Sequence, residues 1–144
     1  MAPLCKNVKQ SIYDAGAVHG LKKEDMFVSF RVTQLYETGA AIYVYFSMPF
    51  DKVRPRENII EMYEDVENRS RDAVFKYGGS ISHHHGVGKL RKRFMERSVS
   101  DLNSVLLEGV KKSVDPNNIF AINNTIYRSE AEKIRDHEFK LKTE

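Results

Sequence analysis

Two runs of alternating residues, three positions apart, constrain this chain more than anything else in it. From Met26 to Tyr36, Val28, Phe30 and Val32 alternate with Ser29, Arg31 and Thr33, which is the two-residue period of a half-buried strand. Ala40-Ala41-Ile42-Tyr43-Val44-Tyr45-Phe46-Ser47 follows, β-branched, aromatic or small almost throughout. Glu37-Thr38-Gly39 supplies a turn between them, so the pair predicts an antiparallel hairpin. On the second strand the same period sets Tyr43 and Tyr45 on one face and Ile42, Val44 and Phe46 on the other. One face packs while the other carries phenol groups.

Helical patterns surround the hairpin. Residues 4–19 place Val8, Ile12 and Ala15 at helical spacing before Gly20. A longer helix is expected over about 56–77, with Ile59, Tyr63, Val66, Ala73 and Tyr77 near one stripe and Glu61, Glu64, Glu67 and Arg71 mostly outside it. Gly78-Gly79 ends it. Leu90, Phe94 and Met95 predict a helical turn with a solvated basic face. Ser98 or Ser100 then caps a helix carrying Leu102, Val105, Leu106 and Val110. Asp115-Pro116-Asn117-Asn118 reads as a turn. The order implies an α+β fold, an antiparallel sheet with helices packed on one face. One domain is expected over residues 1–126, with 127–144 a charged tail, weakly helical or disordered.

Composition narrows the partners. A formal charge of +3, from 23 basic and 20 acidic residues, demands neither nucleic acid nor an anionic membrane. Cys5, the single cysteine, leaves no internal disulfide framework and fits a reducing compartment. No run approaches membrane-spanning length, and no secretion leader or peroxisomal signal is visible.

The chemistry concentrates in Gly78-Gly79-Ser80-Ile81-Ser82-His83-His84-His85-Gly86-Val87-Gly88-Lys89. Imidazole is the side chain that most readily exchanges a proton near neutral pH, and glycine lets backbone approach a ligand closely. A short strand followed by a loop is expected, with His83 and His85 on one side and His84 on the other. Such a pair could hold zinc, but a catalytic site needs a third ligand, and His19 and His137 lie far off in sequence; no metal is assigned. The plain alternative is histidines bonded to nearby carbonyls. Proton transfer, or holding an anion in a cleft, is the functional one. Gly86-Val87-Gly88-Lys89 fails as a triphosphate loop, because His83 and Leu90 stand where glycine and a hydroxyl residue are required. Tyr43 and Tyr45 are either core filler or an acid/base pair on the sheet.

Taken together, Arg31 to Phe46, Gly78 to Lys92 and Val114 to Phe120 resemble the C-terminal part of the alkyldihydroxyacetonephosphate (alkylglycerone-phosphate) synthases, relatives of the vanillyl-alcohol-oxidase type. His83-His84-His85-Gly86-Val87-Gly88-Lys89-Leu90-Arg91-Lys92 is the most specific element. The resemblance implies an FAD-linked oxidase C-terminal or cap domain. It also implies a flavin-dependent transferase of ether-lipid synthesis, which exchanges the acyl chain of acyl-dihydroxyacetone phosphate for a fatty alcohol with no net redox change. By the same motifs Tyr43 corresponds to the catalytic acid/base, and His83, His84 and His85 to a tract that stabilises negative charge. A peroxisomal site, association with a membrane surface and a homodimer are further implications. The family's FAD-binding half lies upstream of these motifs, so no FAD-binding residue is assigned and the chain alone is expected to be inactive. After Phe120 the family runs Gly-Asn-Arg-Asn-Leu-Leu, whereas Ala121-Ile122-Asn123-Asn124-Thr125-Ile126 stands here. The alternative reading is a stand-alone α+β module that binds either a lipid phosphate or a full-length synthase subunit.

Overall fold

The computed structural model describes residues 1–52, 58–120 and 124. The expected tail, 127–144, and His137 lie outside the described residues. The chain divides into two compact units, residues 1–81 and 82–144.

In the first unit, α1 (Ala2–Val18) opens with Pro3 in its first turn, where a missing amide costs nothing. Val8, Ile12 and Ala15 lie on its buried stripe, as their spacing predicts. Its end is a Schellman motif: Gly20, at φ 81°, donates to the Ala17 carbonyl, and Leu21 donates to Gly16, each at 3.0 Å. Strands β1 (Phe27–Leu35) and β2 (Ala40–Ser47) form the hairpin, a two-stranded sheet among the described residues. The loop closes with the Tyr36 amide on the Gly39 carbonyl at 2.8 Å. Helix α2 (Ile59–Lys76) repeats the same ending, with Gly78 at φ 76° donating to Phe75 and Gly79 to Val74. A Cβ on Gly79 would sit 2.7 Å from Val74 and 2.9 Å from Leu4, so only glycine closes this corner between the two helices.

One core joins these elements. Val8, Ile12 and Ala15 meet Leu21, Met26, Val28, Met62 and Val66, with Phe30, Val44 and Phe46 packed against them. The sheet thus buries one face under both helices. Met62 rather than Tyr63 enters this core; Tyr63 instead stacks on Phe46 at 5.5 Å. Arg71, expected on the outer face, is buried and paired with Glu67 one turn back. Asp65 is buried as well. It accepts from Arg69 Nε at 2.8 Å and meets His19 Nε2 at 2.9 Å, tying the end of α1 to the middle of α2.

In the second unit, α3 (Gly88–Arg91), a 3-10 turn (Lys92–Phe94) and α4 (Met95–Ser98) lead into α5 (Asp101–Val114). Ser100 caps α5 by accepting the Asn103 amide at 3.3 Å. Phe94 is buried as an apolar position of this turn, but Lys92 is buried beside it, which departs from the solvated basic face expected there. None of the residues of α5 is buried: Leu102 is 78% exposed and Val114 73%. The turn after it forms as expected. Asn118 adopts φ 50° and donates to the Asp115 carbonyl at 3.0 Å.

Candidate active site

Tyr43 sits mid-way along β2 on the face turned away from the core, with Val44 and Phe46 on the opposite side. Its ring meets Tyr45 edge-on at 5.8 Å, the geometry of two residues on one sheet face. Ser29 and Arg31 are the register partners of Tyr45 and Tyr43. The outer face therefore presents two phenols with a guanidinium residue directly across from Tyr43, where Cβ atoms lie about 4.5–5.5 Å apart.

That register depends on a bulge. Near the turn Leu35 pairs with Ala40 and Gln34 with Ala41; beyond it Val32 pairs with Ile42 and Val28 with Phe46. Thr33 is the extra residue, and its hydroxyl donates to the Ala41 carbonyl at 3.3 Å. Without it, the turn-set register would place Phe30 opposite Tyr45 and Val32 opposite Tyr43. That would mix core and outer residues on one face. Burial of Val28, Phe30, Val44 and Phe46 selects the bulged arrangement.

The histidine tract is a bent loop rather than the expected strand. Its rings cluster instead of alternating: His83 to His84 is 5.1 Å, His84 to His85 is 4.4 Å, and the Nδ1 atoms of His83 and His84 are 2.9 Å apart. Glycine is the physical reason. Gly86 at φ 72° and Gly88 at φ 55° take left-handed backbone that breaks an extended run. The Gly86 carbonyl then closes the loop, accepting the Ser82 hydroxyl at 3.2 Å and Arg91 Nη1 at 3.4 Å. All three histidines are exposed. Tyr43 belongs to the first unit and the histidines to the second. No three histidine, cysteine or carboxylate side chains among the described residues gather as a metal site.

Beyond α5, Asp115 is the anchor of the last described turn. Its carboxylate accepts Lys111 Nζ and the amides of Ile119 and Phe120 at 2.9 and 3.0 Å. The Lys111 hydrogen bond, with those amides, outweighs burial and holds the carboxyl below its ordinary range.

The sequence profile of the FAD linked oxidases, C-terminal domain, matches residues 1–123, which contain both Tyr43 and the histidine tract. The chain belongs to this family. Over 123 residues it is 40% identical to the alkyldihydroxyacetonephosphate synthase of Caenorhabditis elegans, covering 85% of this chain and 20% of that protein. It is 30% identical over 88 residues to the synthase of Dictyostelium discoideum, 61% of this chain and 14% of that one. An uncharacterized FAD-linked oxidoreductase, YgcU of Escherichia coli strain K12, is 32% identical over 92 residues, 64% of this chain and 19% of its own length. The chain therefore spans a fifth or less of these curated relatives.

Two residues of this FAD linked oxidase C-terminal domain escape a reading of the sequence alone. Arg31 reaches the Tyr43 face only through the bulge, which the alternation of β1 and β2 hints at once both are aligned core to core. Arg91 looks like one solvated base among four. Its contact with Gly86, and a buried Nε with no hydrogen-bond partner, set it apart.

Proposed function

We propose that this chain is the C-terminal share of an FAD-dependent alkylglycerone-phosphate synthase, which exchanges the acyl chain of acyl-dihydroxyacetone phosphate for a fatty alcohol. The observation that carries this reading is 40% identity over 85% of the chain to a protein so named, through a family domain holding both Tyr43 and the histidine tract. Residues 1–126 act in it as one functional domain. The loop donors suit a flavin. Three imidazoles and Lys89 offer donors to a ring system that presents carbonyl oxygens and takes up negative charge.

When bound, FAD supplies the centre at which the substrate carbon changes one oxygen substituent for another. Tyr43 takes the proton from the carbon beside the ketone and returns it, acting as acid/base from an outward-facing phenol. Arg31 across the strand puts a permanent cation on that face. His83, His84 and His85 donate hydrogen bonds to negative charge on the flavin or substrate and assist the departing carboxylate. The same reading places the reaction in peroxisomes, at the membrane surface where both lipid substrates reside, with a homodimer as the assembly. In the flavin-loaded enzyme carrying this sequence, Tyr43→Phe should slow incorporation of labelled fatty alcohol by about 10²–10⁴ while flavin stays bound. Turnover close to the parent's would remove Tyr43 from this role.

A further inference from the structure

Buried donors without an acceptor are rare in folded proteins, and each calls for a reason. Arg91 Nε is such a donor, buried and unpartnered, on a guanidinium whose Nη1 reaches the Gly86 carbonyl only at 3.4 Å. A charge-assisted hydrogen bond is ordinarily 2.7–2.9 Å, so the contact with Gly86 is a weak one. The other donor on that carbonyl, the Ser82 hydroxyl, is also long at 3.2 Å. Between them lie Gly86 and Gly88, both at positive φ, the two positions where this backbone turns most freely. A Cβ on Gly86 would meet nothing within 4 Å, and the side chains of His83, His84, His85 and Lys89 beside it are exposed.

We infer that Arg91 and the histidine loop form a subsite for an anion with two acceptor oxygens, a carboxylate or a phosphate group. The Gly86 carbonyl of the loop accepts two long hydrogen bonds. An oxyanion that opens the loop exchanges the 3.4 Å contact for a paired interaction with Nε and an Nη of Arg91, a geometry the planar guanidinium matches and a lysine does not. Released from Arg91, the Gly86 carbonyl keeps Ser82, and Gly86 and Gly88 absorb the movement that turns the histidines toward the same anion. The subsite rests on the proposed exchange reaction only for the identity of its natural anion, either the substrate's phosphate or its departing carboxylate.

The test needs neither flavin nor turnover. The isotope-labelled 144-residue chain is titrated with inorganic phosphate and, separately, acetate, at one pH and at constant ionic strength kept with sodium chloride. Arg91 Nε–H and the amides of Gly86 and Gly88 are followed by NMR. A saturable shift of all three is expected with at least one oxyanion, and the tighter of the two identifies which group of the substrate is held. Arg91→Met should abolish saturation, and Arg91→Lys, which keeps a charge but not the paired planar donors, should weaken it about tenfold or more, read on the Gly86 and Gly88 amides with the spectrum of residues 1–81 preserved in both. A flat titration of the parent chain, an equal response to chloride, or saturation surviving in Arg91→Met would each overturn the subsite. None of those results touches the exchange reaction, which stands or falls on the Tyr43→Phe assay.

Discussion

Tyr43 owes its cross-strand partner to one extra residue on the other strand. Thr33 adds one residue to the opposite strand, and the shift carries Arg31 rather than Val32 across from the phenol. At this scale the alternation in the sequence already separated Tyr43 from Val44 and Phe46, because a strand has only two faces. It could not supply the cross-strand partner, since register depends on where the extra residue sits. In the flavin-loaded enzyme carrying this sequence, Arg31→Met should therefore slow the proposed exchange of fatty alcohol by about tenfold while hairpin and flavin are retained, as expected for loss of one charge-assisted contact. An unchanged rate would confine Arg31 to the surface. His84 touches both neighbouring rings. His84→Ala is expected to cost about 10²–10³ in turnover, on the scale of losing one donor to developing charge. In the core, Ile12 is fully buried among Val8, Ala15 and Val66. Ile12→Ala should lower stability by about 2–5 kcal/mol in urea unfolding.

Among the elements, helix ends were the most legible features and helix faces the least. Gly20 and Gly78-Gly79 stop α1 and α2 by the same hydrogen-bonding pattern, for which glycine is the residue that accepts φ near 80° without strain. Gly20→Ala should cost about 1–2 kcal/mol, read as a fall in melting temperature. The basic stretch from Lys89 to Arg93 misled, because charge alone does not reveal that the 3-10 turn rolls Lys92 inward with Phe94. The turn after α5 was readable from Asp115-Pro116-Asn117-Asn118, though the hydrogen bonds to its carboxylate were not. Because folding lowers the carboxyl's pKa, its support for the turn is complete above the unfolded value, near pH 4. That support fades as pH falls through the lower folded value. The amide resonances of Ile119 and Phe120 should hold steady down to about pH 4 and move only below it, and Asp115→Asn should remove that transition. Movement already near neutral pH would show that the carboxylate does not anchor them.

For the molecule as a whole, the chain covers a fifth of the nematode synthase it resembles, and holding a cofactor against a substrate takes walls on both sides. Purified alone and mixed with FAD, it should stay colourless after gel filtration and show no exchange activity; a stoichiometric yellow complex would overturn that expectation. What the sequence determined by itself was local: the two-residue period of the hairpin, the buried stripe of α1, the glycine stops, and a histidine tract specific enough to indicate the family. Tertiary structure decided the rest, and for one physical reason. Period and propensity act over a few residues, whereas burial is settled by what the chain folds against. Packing Val28 and Phe30 under two helices selected the bulge and so the partner of Tyr43. Beside Gly86, whose carbonyl Ser82 and Arg91 both approach, the three histidines form a cluster where the sequence reads as an alternating strand.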